Sequence, residues 1–301
     1  MAFVRTVKTK TTELAHRLVI PYATSAPPSI TQPRFQSSSS SQPLYPNHVP
    51  LSTFSRGLLA VGSAITALTN PYRHDMVAVL SETTSGSILP RLRDQMLKSE
   101  GGRRILRERP TMRSSTVDLD RLGALKEGTL GRSYKEWLDR HGVSPDTRVP
   151  VRYVDTPELA YVLQRYRESH DMYHVLLGPF PTSISGELIV KWFEFASLRL
   201  PMSGLSSVFG PLRLSSGRRR RLWDQWGMWA VRSGERAREG MGGAGLLGIE
   251  WEREWETDIE ELRRRVGILD KNREWEDWWR EEREITKMEK ESSNPRKVPE
   301  P

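Results

Sequence analysis

Apolar residues return at threes and fours along most of the chain, and glycine and proline interrupt them at short intervals. Ile88, Leu89, Leu92, Met96, Ile105 and Leu106 keep helical spacing. "GTLGRSYKEWLDRHG", residues 128–142, predicts a short helix ended by Gly142. Leu159, Val162, Leu163 and Tyr166 line one face of a helix. Thr156 is a good cap for it, and Pro157 and Glu158 suit its first turn. Trp251, Trp255, Ile259, Leu262 and Val266 predict an amphipathic helix that packs on the body or on a second subunit, which leaves a homodimer open. Only "RVPVRYV", 148–154, alternates as a strand does; it is short and holds Pro150, so it reads equally as an extended link. The pattern predicts an all-α protein with one helical domain over residues 51–269.

The most apolar run is "GLLAVGSAITALT", residues 57–69. At about 1.5 Å per residue it is too short for a bilayer core of about 30 Å, so no transmembrane span is expected. It predicts a buried core helix, with a membrane-facing or partner-facing helix as the alternative. Asn70 and Pro71 then read as the cap and first position of the next helix. Beyond residue 270, "REWEDWWREEREITKMEKE" is charged on all sides and predicts a projecting helix, followed by a disordered tail to residue 301.

Composition narrows the chemistry. The 301 residues include no cysteine, which excludes disulfides, thiolate metal sites, iron–sulfur clusters and a cysteine nucleophile. Any metal must be held by nitrogen and oxygen. The net charge of +8 permits nucleic acid or an anionic membrane as partner. Arg218, Arg219, Arg220 and Arg221 stand together, but no nucleic-acid motif accompanies them. They read as a solvated helix start, or as attraction to anionic lipid, and no nucleic-acid partner is expected. The glycine-rich "EGMGGAGLLG" lacks a phosphate-loop lysine and reads as a loop. Residues 1–50 differ from the rest: Arg5, Lys8, Lys10, Arg17 and Arg34 face a single acid, Glu13, and serines run unbroken from 37 to 41. With Phe3, Val7, Leu14 and Leu18 on one helical face, this predicts a mitochondrial transit peptide and a disordered linker.

The densest chemistry lies in "SHDMYHVLLGPFPTSISGE", residues 169–187. Continuing the apolar face of the preceding helix by fours from Val162 gives Tyr166, His170 and His174, so both histidines point inward. His170, His174 and Asp171 sit at about 0°, 40° and 100° around the helix and can lean toward one point. Gly178, Pro179 and Pro181 break the helix, and Thr182 or Ser183 can cap the next, placing Glu187 in its first turns. Two imidazoles and two carboxylates suit a borderline divalent ion such as zinc, which could act as a Lewis acid. The other reading is two core histidines hydrogen-bonded to Asp171 and Glu187, with no metal. The pattern differs from the metalloprotease H-E-x-x-H, and peptidase activity is not expected. An HD-type metal phosphohydrolase would need a further histidine and aspartate; His74, Asp75 and His141 exist, but no helical frame brings them together.

Several separated blocks then carry a resemblance: "LLAVGSAITALTNPYRHDMVAVLSETT", "GTLGRSYKEWL", "TPELAYVLQRYRESHDMYHVLLG" and "GELIVKWFEFASLRLPM". Over about residues 45–269 the chain resembles the mitochondrial coenzyme Q (ubiquinone) biosynthesis family with the H-D-x-x-H…E zinc motif. The resemblance implies an all-helical protein, peripherally bound to the matrix face of the mitochondrial inner membrane. It implies membership of the multi-enzyme complex that builds coenzyme Q, with a role in organising it. It also implies removal of the C1 carboxylate from a polyprenylated 4-hydroxy-3-methoxybenzoate intermediate; a non-catalytic scaffold or lipid-binding role is the alternative. Carried over by position, the ligands are His170, Asp171, His174 and Glu187, holding Zn2+ or another divalent ion such as Fe2+. Twelve residues separate His174 from Glu187, one more than the family pattern, and the extra residue lies in "GPFPTS". Glu194 is the fallback ligand. Asp171 and Tyr173 are the candidate proton donors, and residues 57–69 and 188–200 are the apolar candidates for the prenyl tail.

Overall fold

The computed structural model describes residues 42–70, 73–178, 180–240, 243–271 and 274–292. They form one all-α unit, with no strand among the described residues. Of the transit peptide and disordered linker expected over residues 1–50, residues 1–41 lie outside them, as does the disordered tail expected after residue 292. Residues 42–50 are not a disordered linker, since the Tyr45 hydroxyl donates to the Val154 carbonyl at 2.9 Å and His48 is buried. The first half of the chain supplies α1 (Thr53–Thr69), α2 (His74–Thr84), α3 (Leu89–Met96), α4 (Glu100–Glu108), α5 (Leu119–Ala124) and α6 (Leu130–His141). The second half supplies α7 (Pro157–Leu177), α8 (Ile184–Leu198), α9 (Pro201–Phe209), α10 (Ser216–Leu222), α11 (Met228–Glu239), α12 (Ile259–Val266) and α13 (Glu274–Ser292).

Helix α7 is the axis of the fold. Its boundaries are the predicted ones, Thr156 before Pro157 at the start and Gly178 at the end, although the Thr156 side chain makes no capping hydrogen bond. From Ala160 onward nearly every side chain is buried, because α3, α4, α6, α8 and α12 all pack on it. Such burial encloses charged groups, and each meets a partner. Arg165 forms paired contacts with Glu252 at 2.5 and 2.9 Å. Arg167 meets Glu82 at 2.8 Å and the Ala78 carbonyl at 2.7 Å. Glu168 accepts from the Met112 backbone N–H at 2.9 Å. Residues 148–154 run extended beside this helix as a link. The free backbone N–H groups of Arg152 and Tyr153 both donate to Glu82, each at 2.6 Å.

Four further expectations need correction. Helix α1 is not a core helix: of its residues only Ser63 is buried. Small residues (Ala60, Ser63, Ala64, Ala67) face inward, where they let α1 pack on α2. Phe54, Leu58, Val61, Ile65 and Leu68, spaced by fours and threes, point outward with exposures of 80, 65, 60, 58 and 42 %. Asn70 ends α1 instead of starting α2, which begins at His74 after a cap at Arg73; Pro71 lies outside the described residues. The stretch 249–268 is not one helix. Trp251–Arg253 is a single tight turn around the fully buried Trp251, and Asp258 then caps α12 through the N–H groups of Glu260 and Glu261. Finally, α13 does not project. Trp278 is buried against Phe180 and Trp226, with ring centroids 5.6 and 5.8 Å away. Glu282 bonds Ser185 and Arg218, and Glu281 bonds Arg221, so two of the clustered arginines serve to dock the last helix.

Candidate metal centre

The centre forms where the end of α7 meets the start of α8. Ser183 caps α8 by accepting from the Gly186 N–H at 3.2 Å. Gly186 allows the tight return: a Cβ there would lie 2.1 Å from the Pro181 carbonyl oxygen. The loop is anchored by Phe180, whose ring sits among Trp226, Trp229 and Trp278 at 5.0, 6.2 and 5.6 Å. Phe180 and Pro181 of the segment holding the extra residue are therefore buried, and Glu187 still lands in the first turn of α8.

Three side chains converge. His170 Nε2 and His174 Nε2 are 3.2 Å apart. Glu187 straddles them, with one carboxylate oxygen 3.3 Å from His170 Nε2 and the other 3.3 Å from His174 Nε2. The second nitrogen of each ring is already committed. His174 Nδ1 lies 2.9 Å from the Phe180 carbonyl, and His170 Nδ1 lies 2.6 Å from Glu194. Both partners are acceptors, so the Nδ1 positions carry the protons and the Nε2 lone pairs face each other and a carboxylate. Three acceptors this close repel unless a cation lies among them. A proton on His170 can serve, and a divalent ion would satisfy all three. Ligand atoms roughly 2.0–2.1 Å from zinc at tetrahedral angles stand about 3.3 Å from one another; here the two nitrogens are 3.2 Å apart and each carboxylate oxygen is 3.3 Å from one of them. A carboxylate and a backbone carbonyl behind the two imidazoles are the usual supports of metal-binding histidines.

Asp171 stands outside this trio. Its carboxylate is buried and bonds the Arg148 guanidinium. Glu194, the fallback ligand, supports His170 instead. It is fully enclosed and also takes Lys191 at 2.7 Å, Tyr166 at 2.8 Å and Ser203 at 2.9 Å. Burial alone would raise the Glu194 pKa, but Lys191 and His170 reverse this and hold it far below the ordinary carboxyl range. Burial likewise would raise Glu187, and His174 and His170 hold it well below its ordinary value. For His170, burial and Lys191 lower the pKa, yet Glu194 and Glu187 outweigh them and leave it raised. Lys191 and Glu194 follow Glu187 at steps of four and three, a spacing that the sequence displays and that puts all three on one face of α8. Tyr173 packs among the rings of Phe193 and Trp251, and burial drives its hydroxyl pKa well up. His141 lies near His174 across the Trp137 ring, whose centroid is 5.1 Å from each imidazole. His74 and Asp75 are exposed on α2, where Asp75 pairs with Arg73, and take no part in this group.

The surroundings match known proteins. The sequence profile described as "Coenzyme Q (ubiquinone) biosynthesis protein Coq4" matches residues 45–272. The mitochondrial ubiquinone biosynthesis protein COQ4 of Coprinopsis cinerea is 47 % identical over 241 residues, 80 % of each chain. The human homologue is 50 % identical over 241 residues, 80 % of this chain and 88 % of that one. The zebrafish (Danio rerio) homologue is 52 % identical over 225 residues, 75 % and 80 % of the two chains. In structure, the chain is similar to a Nostoc punctiforme protein described as a candidate ubiquinone biosynthesis protein. The TM-score is 0.56 at 22 % identity, covering 71 % of this chain and 99 % of that one, a likeness of fold. A profile match across the helical body, with relatives near half identity over three quarters of the chain, settles membership: the chain belongs to the Coq4 family of coenzyme Q (ubiquinone) biosynthesis proteins.

Proposed function

We propose that the chain is a zinc-dependent decarboxylase that removes the C1 carboxylate from the polyprenylated 4-hydroxy-3-methoxybenzoate intermediate of ubiquinone biosynthesis. The observation that carries this is the convergence of His170 Nε2, His174 Nε2 and the Glu187 carboxylate, close enough to one another to hold one small cation. His170, His174 and Glu187 would hold the ion, and Asp171 is the fourth candidate, once freed from Arg148. When bound, a divalent ion supplies electrostatic stabilisation of negative charge as CO2 leaves the ring. The chain's own part is to fix the geometry. Glu194 and Lys191 hold His170 in one tautomer, the Phe180 carbonyl holds His174, and the packed loop holds Glu187. Tyr173 is enclosed by aromatic rings, which favours a packing role for it over proton donation.

The setting is the mitochondrion, as the relatives' names state for those proteins, at the matrix side of the inner membrane. No helix among the described residues is long and apolar enough to cross a membrane. Peripheral attachment is supported by the outward face of α1 and by neighbouring Leu205, Val208, Phe209 and Leu212, exposed by 37, 67, 44 and 61 %. Arg213 ties the two patches together by donating to the Leu68 carbonyl at 3.0 Å. An apolar surface of this kind suits membrane lipid and the prenyl tail, or other enzymes of the coenzyme Q complex. It is also the observation that favours the second reading, a non-catalytic organiser of that complex. The 188–200 stretch is less suited to the tail, since α8 is mostly core.

Carbon dioxide release separates the two readings. The full chain is given carboxyl-labelled prenyl-hydroxybenzoate, metal-loaded and metal-stripped, with an oxidant supplied and His170→Ala alongside. Release that requires both the metal and His170 is expected. No release from folded, metal-bound protein would leave the organiser reading.

A further inference from the structure

Beside the converging ligands sits a cation that the site as described does not use. Arg148 follows the turn after α6, and its guanidinium meets the buried Asp171, next to His170 in the chain. Its Nε is buried and meets no acceptor. The side chain as a whole is 32 % exposed, so part of the group is reached from solvent although Nε itself is buried. Glu187 lies near enough that its charge acts on Arg148. The Tyr134 hydroxyl is also buried without a partner, and both Arg148 and Asp171 act on it electrostatically. A guanidinium with a buried unpaired N–H is a strong anion acceptor site, because the donor has lost water and gained nothing. Arg165 also leaves its Nε unpaired, but it is fully enclosed and holds Glu252 with two other nitrogens, so no ligand can reach it.

Resting on the reading of this centre as one for an aromatic acid, we infer that Arg148 grips the carboxylate of the incoming substrate. In the free protein Asp171 holds one nitrogen of the guanidinium; the carboxylate takes the others, and all of them where Asp171 moves to the ion. The grip serves recognition and not bond breaking, since negative charge leaves the carboxyl as CO2 departs. It explains why a cationic side chain stands beside a centre whose ligands already attract cations: without it, Asp171 and Glu187 would repel an acid.

The test is binding without turnover, using the full chain, metal-loaded. The probes are 4-hydroxybenzoate carrying a short prenyl group and the matching phenol that lacks the carboxyl. The unmutated chain should prefer the acid by about tenfold to a hundredfold, the range of a charge-assisted contact. Arg148→Met should shrink that preference to about twofold or less while binding of the phenol holds, because only the charged contact is removed. Arg148→Lys keeps the charge opposite Asp171, so it should fold even if Arg148→Met does not; it should show an intermediate preference. A preference that survives in both variants, an equal loss for both probes, or no preference in the unmutated chain would overturn the inference. Release of CO2 by the unmutated chain is followed in parallel. No release with an Arg148-dependent preference would sink the decarboxylase and spare the anchor; release without that dependence would do the reverse.

Discussion

Helix α7 carries two sets of buried polar side chains, and its two halves treat them differently. In the first half, Arg165, Arg167 and Glu168 each meet an opposite charge or a backbone group of matching character. In the second half, His170 and His174 turn their free nitrogens toward each other and toward Glu187, acceptor against acceptor. Burial of charge is thus no sign of function in this molecule. The sign is a buried group whose neighbours repeat its own polarity, because the low dielectric that strengthens a matched pair also magnifies a mismatch. The first half is complete as a structure. The second is complete only with a cation.

The sharpest way to break this contrast is to remove the support that both halves share. Glu194→Ala deletes the partner of His170 and strands Lys191. Metal affinity should fall by roughly 10–100-fold and stability by about 3–5 kcal/mol, read by metal competition titration and by denaturant unfolding. Arg167→Met should separate the two effects. It removes the cationic partner of Glu82 and leaves the backbone N–H groups of Arg152 and Tyr153 on the other oxygen. It should cost up to about 3–5 kcal/mol, yet leave metal stoichiometry unchanged in the folded protein; a loss of metal would blur the division of α7. Gly186→Ala forces the start of α8 away from Pro181. A cost of about 1–3 kcal/mol is expected, with weaker metal binding as Glu187 shifts.

The smallest effect is in pH. The pKa of His170 is raised in the metal-free protein, so its stabilisation is full below the unfolded histidine pKa. It is lost as pH rises through the folded value. The metal-loaded protein needs neutral imidazoles and should gain stability over the same rise. Thermal melting at several pH values should therefore give opposite slopes for the two forms near neutrality, and parallel slopes would contradict the ligand assignment.

Much of the centre was legible in the sequence. Steps of four from Val162 turned His170 and His174 inward, and Ser183 before a helical pattern brought Glu187 back to them. Asp171 was not legible, since its partner Arg148 lies 23 residues away in the extended link. The same limit hid the docking of α13. A helix charged on every side reads as solvated, and only the fold supplies Arg218 and Arg221 as its partners and the Phe180 cluster as the socket for Trp278. Helix α1 failed for a different reason. Its hydrophobicity was plain and its large residues are regularly spaced, but they face outward while alanine and serine make the contact with α2. Periodicity gives the stripe; it does not say which side of the stripe is the protein.

The most direct test is elemental analysis of the purified full chain beside His174→Ala, with folding checked by circular dichroism. One equivalent of a divalent metal, retained through gel filtration and absent from the folded variant, is the predicted result. A folded, monodisperse protein that takes up no divalent ion at saturating zinc or iron would contradict the account, leaving a proton as the only cation among His170, His174 and Glu187.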